Sequence, residues 1–393
     1  MKYILLITVL LIVGFSACDL DRIDPETASG SKFQTAVGTN GDDFPYAVLP
    51  NADGTFIVVG STETDNSGLM QQMYIVKIDD KGNLVDQNTF GTPRNDKATA
   101  VCAAADGGYV MVGTTINVSQ PTFDVYVLKV NAQLDFSWER TIGVLDTNEF
   151  AIGIVPNGTA EFLISYYSIP FTGGTNVNTN VVRINTNGVP QSNKKILSSP
   201  ALFYSMTRTS DNKLVMAGSY NDGFGITSAY LAKFNEDGST IWDVNYPEQA
   251  LSDNYGNDLV ETADHNIYMT GVADFSSEPQ FFVAGYSAIG MPLKDTIWGG
   301  AQEDGLSALT VSNDDQLVVT GFSKSFSGTD QAYISKRNKT SGIEIWEKIS
   351  SNALGGTDIQ VCPDGGFVIC AVGAGASTGD IVLIKTDKDG NFQ

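Results

Sequence analysis

The chain has 393 residues, with 23 lysines and arginines against 45 aspartates and glutamates, giving a formal net charge of −22. That balance excludes the basic face that nucleic acid needs and disfavours electrostatic attraction to anionic lipid. With 42% hydrophobic residues, 40 glycines and only 17% charged residues, the chain is globular and turn-rich, and its aromatic and β-branched content favours strands.

Residues 2–18 read KYILLITVLLIVGFSAC. A single lysine precedes an apolar run of about a dozen residues, too short for a comfortable membrane span and laid out as a signal peptide. The end, F-S-A-C, resembles the lipobox of bacterial lipoproteins, with Phe15 in place of the usual leucine. That resemblance implies cleavage before Cys18 and acylation of its thiol and amine, including palmitate-type chains. Two or three chains give stable anchoring where one does not. Residues 1–17 are thus expected to be the signal, and the polar stretch 18–31 an acylated, flexible tether. The acidic residues after Cys18 resemble the surface-export signal of Bacteroidota lipoproteins, so an outer-membrane location, on the surface or the periplasmic face, is expected. The other cysteines, Cys102, Cys362 and Cys370, each lie in an apolar strand and read as small buried hydrophobes without a disulfide framework.

From residue 32 the chain repeats one unit seven times. Each unit opens with a short apolar strand and a tight turn: NADGT (51–55), ADGG (105–108), PNGT (156–159), SDNK (210–213), ADHN (263–266), NDDQ (313–316) and PDGG (363–366). A fully apolar second strand follows, as in FIVVG (56–60) and YVMVG (109–113), ending in Gly60, Gly113, Gly218, Gly271 or Gly321, with Ser165 and Ala371 in the other two slots. Continuous apolarity means that both faces are covered, and a strand glycine implies close backbone approach. A third strand carries Lys77, Lys129, Arg183, Lys233, Lys336 or Lys385, and a fourth is marked in several units by tryptophan, as in WERTIG, WDVNY and WEKIS.

Four antiparallel strands cannot bury both faces of their sheet alone, whereas radial stacking can. The expected fold is therefore all-β, a seven-bladed β-propeller over residues 32–393. The seventh unit stops where its fourth strand should begin, and KFQTAVG (32–38) supplies the missing strand, so the N-terminal strand is expected to close the last blade and remove the open edges. The third unit, with its long loop SIPFTGGTNVNTN (168–180), is the expected irregular blade. The repeats resemble the tandem DGGY…VG…K-x-D-x-x-G…W repeats of Bacteroidota surface lipoproteins. NKTSGIEIW (338–346) is similar to quinoprotein-type propeller repeats. These resemblances imply architecture more than function.

Antiparallel alternation sorts the loops. One face carries the short stereotyped turns. The other carries the long, dissimilar loops, where function usually sits. Those loops hold Phe123, Tyr167, Phe171, Tyr220, Phe224, Phe275 and Phe326 beside acids such as Asp65, Asp222, Asp274 and Asp330, a combination suited to sugar rings or a protein partner. Asp43, Asp96 and Asp304 recur ten residues before their turns, with Asn148 and Asn254 near the same place. They are read as a ring at the mouth of the central channel, either a cation or sugar site or, the bland alternative, caps of the inner strands or partners of the third-strand basic residues. The recurrence in blade after blade favours the structural alternative.

His265 is the only histidine and sits in a stereotyped turn, so a Ser-His-Asp triad or a histidine metal site has almost nothing to build from. DKDGN (387–391) starts like a calcium loop but lacks the rest of it. No catalytic residue, metal or cofactor is assigned. The expectation is a monomeric, non-catalytic module anchored by lipid at the envelope, binding a glycan or an envelope protein. The alternatives are a glycosidase or lyase using loop carboxylates or tyrosine, and an outer-membrane assembly scaffold.

Overall fold

The computed structural model describes residues 31–63, 70–117, 119–172, 177–221, 223, 225–246, 253–274, 278–374 and 379–392. Cys18, the signal segment and most of the tether lie outside them, as do Asp65, Asp222, Phe224 and Phe275.

Twenty-eight strands form seven four-stranded antiparallel sheets and no helix among the described residues. Blade 1 runs Asp43–Pro50, Phe56–Glu63, Gln71–Ile78 and Leu84–Phe90, innermost strand first. Blades 2 to 6 repeat that order over Asp96–Ile142, Thr147–Ser199, Ala201–Tyr246, Asn254–Trp298 and Asp304–Ser350. Blade 7 takes Ala353–Val361, Phe367–Gly373 and Ile381–Lys385 from the C-terminal end, and its outer strand is the N-terminal Phe33–Val37, paired Phe33 to Lys385 and Val37 to Ile381. The ring closes as the repeat count requires. The third blade is not irregular in its strand count. It keeps four strands, and its innermost, second and outer strands are the longest of their kind, at 11, 10 and 10 residues.

Burial explains the repeat. The apolar second and third strands are covered on both faces, and seven hydrophobic clusters occupy the seven interfaces between neighbouring blades. The cluster between blades 7 and 1 joins Val37, Cys370 and Leu383 to Val58, Tyr74 and Val76.

Every innermost strand carries a register shift at the same place, bulging at Tyr46, Thr99, Ile152, Tyr204, Asn257, Ser307 and Thr357. The bulge pushes a carbonyl toward the second strand and so explains the recurrent glycine. A Cβ on Gly60 would lie 1.9 Å from the Phe44 oxygen, and one on Gly113 1.7 Å from the Lys97 oxygen.

The outer strands lock each blade to the next. The indoles of Trp138, Trp242 and Trp346 lie against Gly188, Gly290 and Gly390 in the second turn of the following blade. Trp138 and Trp242 also donate Nε1–H to the carbonyls of Thr186 and Ala288 at 2.8 and 3.0 Å. Phe33 holds the same register opposite Lys385 that Trp138 holds opposite Lys129, and its ring covers Gly82 of blade 1.

The first turn of each blade has one left-handed residue: Gly54, Gly107, Gly158, Asn212, His265, Asp315 and Gly365, with φ between 59° and 84°. Asparagine, aspartate and histidine are the side chains that tolerate this region best. The single histidine is thereby placed by turn geometry.

Candidate functional site

The acids that open the inner strands tie off loops. Asp43 accepts the backbone N–H of Thr39 at 2.5 Å, Asp96 that of Thr92 at 2.6 Å and Asp304 that of Gly300 at 2.8 Å, with threonine or serine hydroxyls completing each shell. All three are buried, at 0–1% exposure, and none lines the channel. Register places Glu149 as their counterpart in blade 3, one residue past Asn148. Asn148 instead accepts the Phe123 N–H at 3.1 Å, as Asp42, Asn95 and Asp253 accept those of Gly379, Gln71 and Thr227. The expected ring at the channel mouth is thus a set of buried loop caps, committed to neighbouring backbone.

The third-strand basic residues do not meet these acids. Four of the six pair instead with acids of the first turn, on the opposite face: Lys129 with Asp106, Lys233 with Asp211 at 2.9 Å, Lys336 with Asp314 at 2.7 Å and Lys385 with Asp364 at 2.8 Å. Blade 5 has Gly285 at that position, and its turn acid Asp264 is served by Lys339 of blade 6 at 2.9 Å. Burial raises the Asp264 carboxyl, but bonds from Thr262 and Lys339 outweigh it and hold it at about 2.

The variable-loop face carries an arc of aromatics. Phe123 of blade 2 lies 5.2 Å from Phe150 of blade 3, which stacks on Tyr167 at 5.1 Å. Burial pushes the Tyr167 phenol up, and Tyr204 of blade 4 adds to it, as it does for Tyr255 of blade 5. Phe123, Phe150, Tyr167 and Tyr255 are half-buried, and Tyr204 is 39% exposed. Tyr220 turns inward, 5.6 Å from Tyr230. Phe171 and Phe326 stand apart from the arc and are about half exposed. Of the loop aromatics singled out in the sequence, the structure therefore brings Phe123 and Tyr167 into the arc and leaves Tyr220, Phe171 and Phe326 outside it.

Inside the arc opens the central channel, a cavity of about 410 Å³ lined by residues from all seven innermost strands, with no lysine or arginine among them. The bulge residues line it, including Tyr46 and Tyr204, and so do Asp258 and Asp358. Asp258 accepts from Ser205 Oγ at 2.6 Å and from the Leu309 N–H at 3.0 Å. Asp358 accepts from the Val48 N–H at 2.9 Å. Burial, and then repulsion from Asp358, raise the Asp258 carboxyl to about 7, and burial raises Asp358 too. Sequence reasoning missed these residues because a bulge shifts which side chains face the axis. The available signal was their fixed offset: the bulge residue follows the capping acid by three positions in Asp43–Tyr46, Asp96–Thr99 and Asp304–Ser307.

His265 Nδ1 lies 2.9 Å from Ser210 Oγ and 3.6 Å from Glu261, while Ser210 Oγ itself donates to Glu261 at 3.0 Å. This is a triangle on one ring nitrogen, not the relay through both nitrogens that activates a serine. Among the described residues no three acids, histidines or cysteines converge on a metal position. Cys102, Cys362 and Cys370 are buried and free, and burial pushes the first two thiols up to about 12.

No family model matches the chain, and no curated protein matches it. Among solved structures it is similar to Sqt1 from Chaetomium thermophilum, with TM-score 0.50 and 11% identity over 92% of this chain and 91% of that one. It is also similar to the S511A mutant of a puromycin hydrolase complexed with PGG, with TM-score 0.50 and 13% identity, covering 85% of this chain and 52% of the other. At such identities the likeness shows the repeated-blade β-propeller and nothing finer.

Proposed function

We propose that the protein is an envelope-anchored, non-catalytic binding module that engages a glycan or another envelope protein through its variable-loop face. The observation that carries this reading is the half-buried aromatic run Phe123–Phe150–Tyr167 together with a polar channel lined by Tyr46 and Tyr204 and free of basic residues. Rigid amphipathic rings next to hydrogen-bond acceptors suit sugar rings and protein hot spots alike.

Chain entry supports the choice of face. Phe33 pairs with Lys385, whose ammonium bonds Asp364 in a stereotyped turn, and Lys32 lies 3.6 Å from Asp387 on that same side. A tether from an acylated Cys18 therefore joins the stereotyped face and leaves the variable loops facing away from the membrane. Residues 31–393 contain every strand of the ring and suffice for the test. On a glycan array that fragment is expected to bind, and Tyr167→Ala or Tyr204→Ala to weaken binding about tenfold. A reducing-sugar assay on bound glycans is expected to show no release. Turnover abolished by replacing one loop carboxylate would overturn the reading in favour of a carbohydrate-active enzyme.

A further inference from the structure

On the third strands, Tyr74, Tyr126, Tyr230 and Tyr333 donate their hydroxyls to Gln87, Glu139, Asp243 and Glu347 on the outer strand of the same blade. Three blades depart from the pattern: blades 3 and 7 hold Val181 and Val382 in that slot, and blade 5 holds an aromatic ring. Phe282 fills the tyrosine slot and brings no hydroxyl. Asp295, the register counterpart of Asp243, accepts instead from Tyr246 of blade 4 at 2.7 Å. Tyr246 reaches it by lying flat on Phe282, with centroids 5.1 Å apart and planes 7° from parallel.

The exchange leaves a cleft of about 530 Å³ between the outer halves of blades 4 and 5, lined by Tyr246, Ala284, Gly285, Tyr286, Pro292, Leu293 and Asp295 among others. That volume lies within the range of small-ligand sites. Tyr286 is 3% exposed and lines the cleft. Its phenol is a hydrogen-bond donor at the cleft wall. Asp295 is exposed, and only one of its oxygens is engaged. Pro292 and Leu293 give an exposed apolar wall.

We infer that this cleft is a second binding site, taking one neutral sugar unit of a glycan. The polar groups decide the class. Asp295 offers an acceptor oxygen, and Tyr286 offers an O–H donor. A pair of neighbouring hydroxyls supplies both complements. A guanidinium or ammonium supplies donors only and leaves the Tyr286 proton unmatched. A phosphate or carboxylate would meet Asp295 with no lysine or arginine in the lining. The apolar wall faces the C–H side of a pyranose.

The site is independent of the variable-loop face, and one experiment separates the two. Residues 31–393 are titrated by saturation-transfer NMR and calorimetry with glucose, galactose, mannose, xylose and their disaccharides, and with arginine methyl ester as the cationic probe. At least one saccharide is expected to bind saturably. Tyr286→Phe, which removes only the hydroxyl, is expected to weaken it about tenfold, Asp295→Asn likewise, and Tyr167→Ala not at all. If Asp295→Asn lowers the melting temperature, Tyr286→Phe still decides. Absence of saccharide binding, preference for arginine methyl ester, or full binding by Tyr286→Phe overturns the inference. Loss of binding in Tyr167→Ala alone also overturns it, while leaving the variable-face reading in place.

Discussion

Asp358, on the innermost strand of the last blade, accepts the backbone N–H of Val48 in the first blade at 2.9 Å. Asp258 does the same one seam earlier in the ring, accepting the Leu309 N–H of blade 6 at 3.0 Å. Both are carboxylates doing structural work at the axis, where burial and mutual repulsion oppose their charge.

The consequence is a stability that falls toward neutral pH. The folded value of Asp258, about 7, lies above the ordinary aspartate value of 3.8. Its protonated form is favoured by folding, so its contribution is complete below about pH 4 and is lost as pH rises to about 7. Asp43, Asp96, Asp124 and Glu149 are raised by burial and act in the same sense. Asp106, Asp211, Asp264 and Asp314 are held low, so their contribution is present above about pH 4 and disappears in acid. Thermal melts are expected to peak near pH 5 and to decline by pH 8. Asp258→Asn should flatten the decline, by up to ~4 kcal/mol and less where channel water screens the charge. A melting temperature that rises steadily from pH 5 to 8 would refute this.

Closure at the rim rests on Phe33. Its ring lies 6.0 Å from Phe56 and covers Gly82, the position that a tryptophan takes at three other seams. Phe33→Ala is expected to cost about 2 kcal/mol, below the full core value because the ring is half-buried. Phe33→Trp should be tolerated within about 1 kcal/mol. Removing residues 31–38 leaves blade 7 with three strands and an open edge, and soluble monomer should be lost on size exclusion.

The ring was legible because its signals are local and repeated. Asp-Gly turns, apolar second strands and the orphan KFQTAVG each state one blade's geometry, and repetition supplies the count. The mouth of the channel was not legible. Asp43 and Tyr46 lie three residues apart, and only the bulge between them decides that the acid is buried in its own loop while the tyrosine faces the axis. Alternation counted along the sequence cannot register a bulge. The third-strand lysines were likewise paired with the wrong end of the sheet, since the aliphatic stem of Lys233 carries its ammonium to Asp211 in the nearby turn. The cleft at Tyr286 depends on Phe282 standing where four other repeats carry tyrosine, which matters only once the bond that tyrosine makes is seen in those blades.

Those lysines give a sharp contrast. Lys233 is 4% exposed at its side chain, whereas Asp211 is 53% exposed. Asp211→Ala strands an ammonium in the interior and is expected to cost about 2 kcal/mol, below the cost of breaking a fully buried pair because the acid already faces water. Lys233→Met fills the same space without charge and should stay within about 1 kcal/mol of the parent. Urea titrations of the two variants check the order. Equal losses would mean that packing, not the unpaired charge, sets the cost.

The docking of outer strands onto the next blade can be isolated by a matched pair of glycines. Gly290 has φ 80°, and a Cβ there would lie 2.8 Å from Trp242 Cδ2. Gly107 has φ 84° with nothing within 4 Å of a Cβ. Alanine pays the same left-handed backbone penalty at both, about 1–2 kcal/mol. Only Gly290→Ala must also lift an indole whose Nε1–H bonds the Ala288 carbonyl at 3.0 Å. Gly290→Ala is therefore expected to cost about 2 kcal/mol more than Gly107→Ala. Tryptophan fluorescence should also shift in the first variant and not in the second, because Trp242 lies against the turn being altered. Equal costs, with fluorescence unchanged, would show that the indole rests on the turn without holding the two blades together.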